Sequence, residues 1–241
     1  MVKIEAEGVL VAAKPFSEYD VLASVLTDEN GIVRGLVKGG LSRRKRADMQ
    51  PGSEVHMLWS ARLESHLGIM DLSPEINWPG QIMQSASRLA ALNTTCELLA
   101  SVLSERDSAP EIYRGMQAWL QTLSTPYWGE ALVAFELALL GALGFALRLD
   151  RCAVTGKDTG LLYVSPKSGR AVSQDVAEPY AERLLPLPAF LCGQSQGSTA
   201  DIVVGLKLTG HFLARYLFSP YERDLPPSRD ILMQRLERTI H

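Results

Sequence analysis

The sequence is poor in the residues that covalent scaffolds and metal sites rely on. Three cysteines in 241 residues (Cys96, Cys152, Cys192) are odd in number and widely spaced. That excludes a disulfide framework and fits a reducing cytoplasm. The four histidines (His56, His66, His211, His241) and the cysteines share no spacing that would hold zinc. The opening segment MVKIEAEGVL has neither a long apolar run nor a small-residue cleavage site, so no signal peptide is expected. The longest apolar stretch, Ala131 to Leu147, is interrupted only by Glu136 and falls short of the roughly 20 residues of a membrane span. It reads as a helix buried in a bundle, in which Glu136 needs a partner or an edge position. There is no internal repeat, and a net charge of −3 leaves no globally basic surface.

Against that background the positive charge is concentrated. The window Gly31 to Ala47, GIVRGLVKGGLSRRKRA, holds six cations and no acid: Arg34, Lys38, Arg43, Arg44, Lys45 and Arg46. The rest of the chain therefore has 18 basic residues against 27 acidic ones. Arg34 and Lys38 lie on or beside a strand whose apolar positions are Ile32, Val33, Leu36 and Val37. Gly39-Gly40 then breaks the strand, and the four consecutive cations follow in a polar loop ending at Pro51-Gly52. Such a run suits a phosphodiester backbone, because each cation that neutralises a phosphate releases condensed counterions. A solvated surface loop is the plain alternative.

The first 75 or so residues read as five strands: Ile4 to Val11, Val21 to Thr27, Ile32 to Val37, Val55 to Ala61 and Leu67 to Leu72. Asn30-Gly31 predicts a hairpin between the second and third. Five short strands suggest a small closed barrel of the OB type, with sandwich and SH3-like arrangements open. Trp59, at period two with Val55 and Met57, is expected in the core. From Pro79 the period becomes helical, and Ile82, Ala86, Leu89, Cys96, Leu99 and Leu103 fit one stripe. Ser108-Ala109-Pro110-Glu111 has the form of a capping box, opening a helix that turns Ile112, Met116, Trp119, Leu120 and Leu123 inward. Residues 149–176 form a loop-rich insert with a short hairpin around Pro166 to Gly169. Helices follow at Ala200 to Phe218 and Arg229 to Arg238. The expected organisation is a barrel domain over 1–78 and a helical domain over 79–241.

Two motifs imitate catalytic signatures. Gly156-Lys157-Asp158-Thr159 hints at a phosphate loop, but Arg151 stands where its first glycine belongs. Gly193-Gln194-Ser195-Gln196-Gly197 matches a nucleophile elbow, which needs a strand, a helix and an α/β sheet around it. Here Pro186 and Pro188 precede it, and Asp201 and His211 crowd into the same stretch. A hydrolase reading is therefore weak, and no enzymatic activity or cofactor is expected.

The order of parts resembles the RecO family of bacterial recombination mediators over nearly the whole chain. Glu7-Gly8-Val9-Leu10 leads through Ser17-Glu18-Tyr19-Asp20 to Leu22. Thr27 to Gly31 precedes Val37-Lys38-Gly39-Gly40 and Arg43-Arg44, and Leu63 follows the Trp59 strand. Later come Leu140 to Leu149 before Cys152, Val164-Ser165-Pro166 to Gly169-Arg170-Ala171-Val172, and Leu184 to Leu191. The resemblance implies an α+β protein: an N-terminal OB-fold barrel, a mainly helical domain and a zinc-finger-like hairpin insert. Many relatives carry C-x-x-C twice in that insert. Here Cys152 is followed by Thr155 at the second position, and Gly169 to Ser173 hold no cysteine, so a closed zinc site is not expected.

By resemblance the protein binds single- and double-stranded DNA, anneals complementary strands and works with RecR to load RecA onto DNA coated with single-strand-binding protein. The alternative is an OB-type module that binds RNA or acts as a protein adaptor. The resemblance also implies a docking site for the acidic, phenylalanine-ending tail of single-strand-binding protein. Lys207, His211 and Arg215 recur every four residues on the helix from Ala200 to Phe218, beside Leu208, Phe212 and Tyr216. That face supplies candidate chemistry for the tail; an ordinary amphipathic helix is the competing reading.

Overall fold

The computed structural model describes all of residues 1–241 except Glu64, Gln194, Ser195 and His241, and the side chain of Pro179. Five strands, β1 (Val2–Pro15), β2 (Val21–Thr27), β3 (Gly31–Val37), β4 (Glu54–Ala61) and β5 (Gly68–Ile76), close into a barrel of order β1-β2-β3-β5-β4. All neighbours are antiparallel except β3 and β5, which pair in parallel at Gly35–Gly68 and Leu36–Ile69. This is the OB fold, in which the sheet closes on itself. The expected β2–β3 hairpin forms in register from Val21–Val37 to Thr27–Gly31. Gly31 is required there: its φ is +57°, and a Cβ would stand 1.8 Å from the Asp107 carbonyl oxygen.

The pattern along β1 shows how the barrel is covered. Lys3, Glu5 and Glu7 alternate outward in its first half, whereas Val9, Leu10 and Val11 are buried in succession. At that point helix α2 (Ala86–Val102) packs against the strand, so both of its faces are apolar. The barrel interior is filled by residues such as Leu10, Val25, Val33, Met57, Trp59 and Met70. Trp59 is in the core, as its spacing predicts, 1% exposed and donating from its indole nitrogen to the Arg34 carbonyl at 2.9 Å.

Two compact units divide the chain, residues 1–124 with 226–229 and residues 125–225 with 230–241. Packing thus groups α1 (Trp78–Gln81), α2 and α3 (Pro110–Thr122) with the barrel, whereas the sequence suggests a boundary at residue 78. Within the first unit α3 buries Ile112, Met116, Trp119 and Leu120 as expected. Its cap differs. Ala109 occupies the N-cap position without a side-chain bond, and the Ser108 hydroxyl donates instead to the Asp28 carbonyl at 3.5 Å. With Pro110 as the first helical residue, Ser108 stands one position too early to cap. The stripe expected on α2 is also too narrow. Ala86 is exposed, and the buried set extends through Ala91, Leu92, Thr94, Thr95 and Leu98.

The second unit holds α4 (Trp128–Ala142), α5 (Gln174–Ala177), α6 (Thr199–Leu213) and most of α7 (Ser228–Ile240). Strands β6 (Leu161–Val164), β7 (Ala171–Ser173) and β8 (Leu185–Pro186) form a small sheet. The first two are the expected hairpin; β8 was not legible. α4 ends at Ala142, short of the expected Leu147. Gly144 follows at φ +90°, and Phe145 and Ala146 are exposed. Glu136 is buried and accepts a hydrogen bond from the Thr209 hydroxyl of α6, the partner its burial demands. α6 starts with a capping box between Ser198 and Asp201 and continues into a π-helical turn at Ala214–Phe218. Among the described residues no helix is long and apolar enough to cross a membrane.

Candidate nucleic-acid interface

Val37 ends β3, and the chain then folds through successive turns rather than an open loop. Gly39, at φ +65°, begins the reversal. The Ser42 N–H donates to the Gly39 carbonyl at 3.0 Å and the Arg46 N–H to the Ser42 carbonyl at 2.9 Å. Arg46–Asp48 then make one short 3-10 turn. The segment is tied to the β1–β2 loop by two bonds. The Gly39 N–H donates to the Asp20 carboxylate at 2.9 Å, and the Leu41 N–H to the Tyr19 carbonyl at 2.9 Å. Phe16 and Tyr19, 58% and 61% exposed, thus stand beside the cationic turn.

The six cations of the window are not equivalent. Arg34 lies 3.9 Å from the Glu105 carboxylate, and Lys45 lies 3.2 Å from that of Asp71. Lys38, Arg43, Arg44 and Arg46 are exposed and form no ion pair among the described residues. Four uncompensated cations on a folded, anchored segment favour a multivalent anion. The side of the barrel made by β1, β4 and β5 has the opposite sign. Glu5, Glu7 and Glu75 gather around His56, whose ring nitrogens lie 2.7 Å from Glu7 and 3.3 Å from Glu5. The hydrogen bond to Glu7 raises the His56 pKa above its ordinary value, outweighing the opposing effect of desolvation. The same bond holds Glu7 below the usual carboxylate range, while Glu75, hydrogen-bonded to Glu7, moves up. The acidic group around His56 and the cations of the Lys38–Arg46 segment are thus separate features of the barrel surface.

A second cation over the barrel was not legible in the sequence. Arg106, from the segment between α2 and α3, places its guanidinium carbon 4.1 Å from the centroid of the Trp59 ring. It has φ +63°, and its N–H donates to the Ile32 carbonyl at 3.0 Å. Nothing in the local sequence signals an approach between positions so far apart.

In the second unit the face proposed for a peptide tail is largely engaged by the fold itself. Lys207 forms an ion pair with Glu237 of α7 at 2.9 Å. Arg215 donates to the Pro166 carbonyl and leans over the Tyr216 ring, 5.4 Å from its centroid. His211 meets Phe212 edge-on, with ring centroids 5.0 Å apart. Phe212 and Leu208 are buried, so neither presents its side chain to a ligand at the surface. The accessible aromatic surface nearby belongs to Phe145, stacked on Tyr216 with centroids 4.7 Å apart. Phe145 was hidden within what reads as a continuous helix.

In the insert, Cys152 is buried beneath the β6–β7 hairpin. Its sulfur accepts from the Ser173 N–H and hydroxyl, both at 3.3 Å, and from the Thr155 N–H at 3.5 Å. Burial raises the thiol pKa, and these hydrogen bonds more than offset it, bringing the group down to about 6. Among the described residues no three His, Cys, Asp or Glu side chains gather as a metal would require. The elbow-like motif at 193–197 lies partly outside the described residues, at Gln194 and Ser195, as does His241.

Comparison with known proteins divides the chain between residues 72 and 83, close to the boundary the sequence suggests at residue 78. Residues 1–72 match the family described as Recombination protein O N terminal, and residues 83–224 match Recombination protein O C terminal. "DNA repair protein RecO" of Rhodospirillum rubrum is 40% identical over 99% of this chain and 98% of its own length. The protein of that name from Paracoccus denitrificans is 42% identical over 98% of this chain and 96% of its own. That of Caulobacter vibrioides is 38% identical, covering 96% of both.

Proposed function

The chain belongs to the RecO family of DNA repair proteins, and on that premise we propose that it is a non-enzymatic mediator that binds DNA and anneals complementary strands. The observation that carries this reading is the folded cationic segment from Lys38 to Arg46, where four cations have no carboxylate partner among the described residues. Two strands repel each other through their phosphates, and a surface that neutralises both lowers that barrier. Interactions of this kind are with the backbone, so sequence preference is low. The barrel offers few exposed aromatics, Phe16 and Tyr19 being those beside the cations, and stacking is secondary.

In this reading the protein works with RecR at strands coated with single-strand-binding protein and helps load RecA, in the nucleoid of a bacterial cytoplasm. The tail of single-strand-binding protein docks on the second unit, where the exposed Arg215 lies beside Tyr216, on which the exposed Phe145 is stacked. Strand annealing, followed by fluorescence with and without single-strand-binding protein, tests the proposal. Acceleration on bare and coated strands is the expected result. Binding of structured RNA without annealing of DNA would instead establish the RNA-binding alternative.

A further inference from the structure

The cationic turn, the end of β1 and the start of β2 line an open cleft of about 540 Å³. Ala13, Pro15, Val21, Leu41 and Met49 give it an apolar side, and Gln50 adds an uncharged polar group. Arg43 and Arg46 stand on its rim, and no carboxylate lines it among the described residues. Val21 and Met49 belong to the barrel core, so the apolar side is set by the fold and not by mobile side chains. The two bonds from Asp20 and Tyr19 to the turn hold the walls together.

We infer that this cleft receives one unstacked nucleobase of a single strand, with Arg43 and Arg46 on the flanking phosphates. The inference rests on the DNA-binding reading above and gives it a geometry. An apolar surface beside two guanidinium groups matches the face of a planar ring attached to a chain of anions, with the ring's polar edge turned to solvent and Gln50. Beyond the rim, Arg44, Lys45 and Lys38 continue the positive surface, and that extension fits a repeating polyanion better than a short acidic peptide. Duplex DNA cannot fill the cleft without unpairing a base, which costs free energy. The pocket therefore favours single strands, while the surrounding cations serve both forms.

The test compares an oligothymidylate with an abasic oligomer of the same length and charge, by fluorescence anisotropy. Wild-type protein is expected to prefer the base-bearing strand about tenfold, as burial of roughly 55 Å² of ring surface against apolar side chains would supply. Ala47→Leu, on the exposed part of the lining, narrows the cleft without removing a cation or adding a ring. It is expected to erase that preference and leave affinity for the abasic strand unchanged. Ala13→Leu on the apolar side should do the same, and unchanged melting temperatures show that both variants fold. Equal wild-type affinity for the two oligomers, or a preference that survives both substitutions, overturns the pocket while leaving the DNA-binding reading intact. Failure to bind either oligomer removes both.

Discussion

The Asp20 carboxylate accepts a hydrogen bond from the Gly39 N–H at 2.9 Å, across the gap between the β1–β2 loop and the cationic turn. An acid at the foot of a positive surface lowers its potential, yet this one is spent on holding the turn in place. Removing the acceptor and removing the charge should therefore have opposite effects. Asp20→Ala is expected to destabilise the protein by about 1.5 kcal/mol, the scale of a hydrogen bond to a charged group. It should also weaken DNA binding several-fold. Asp20→Asn keeps an oxygen acceptor and removes the charge, so its affinity should match or exceed wild type. Urea melts and anisotropy titrations check the pair.

Replacing Arg43, Arg44, Lys45 and Arg46 together by alanine should weaken DNA binding while leaving the fold intact. None of the four is buried, and exposed substitutions away from caps and cores cost little. The slope of log affinity against log salt should flatten by about 0.7 to 0.9 for each phosphate the variant no longer neutralises. Lys45 is partly neutralised by Asp71, so Asp71→Asn should raise affinity modestly. An unchanged slope in the quadruple variant would place the DNA elsewhere.

His56 makes stability depend on pH. Its folded pKa lies above the ordinary 6.5, chiefly through the hydrogen bond to Glu7, with Glu5 and Glu75 adding in the same sense. The contribution is complete below 6.5 and disappears as pH rises through the raised folded value. At the acid end, Glu7 is depressed from 4.5, so its share is present above 4.5 and lost as pH falls through the depressed value. Melting temperature measured from about pH 5 to about pH 9 should decline on the alkaline side in the wild type. His56→Ala should flatten that decline.

Thr209→Val removes a donor to the buried Glu136 carboxylate without changing the size of the side chain. Loss of one hydrogen bond to a buried acceptor costs about 1 to 3 kcal/mol. Denaturant unfolding should show that loss, and Glu136→Gln should recover part of it when combined with Thr209→Val. Additivity of the two substitutions would show that the pair is not coupled.

Metal analysis of the purified protein should find no stoichiometric zinc, and a chelator should leave the melting temperature unchanged. Cys152 brings one thiolate, whereas a structural zinc site takes four ligands. Ser173→Ala removes one of the hydrogen bonds that lower this thiol, so its pKa should rise above about 6, as read by thiolate absorbance during a pH titration. One zinc per chain would reveal ligands from elsewhere.

The strands of the barrel and the hairpin at Gly31 were written locally, in short apolar or alternating runs and in a glycine that tolerates positive φ. Composition likewise marks the segment from Arg34 to Arg46 as cationic, because charge is a property of residues and not of their neighbours. Which of those cations are left without an acid beside them was decided by tertiary structure. Asp71 reaches Lys45 from β5, and Glu105 reaches Arg34 from beyond α2. The same holds for the face of α6. Its four-residue spacing is real, but spacing specifies only which residues share a side, and packing turned Phe212 and Leu208 into the core while Glu237 took Lys207. The caps depended on a single residue of helix phase. Ser198 stands where its hydroxyl meets the N–H of Asp201, and Ser108 stands one position too early. The cleft beside Arg43 and Arg46 has no local signature, because its walls come from β1, β2 and the turn, which meet only when the sheet closes.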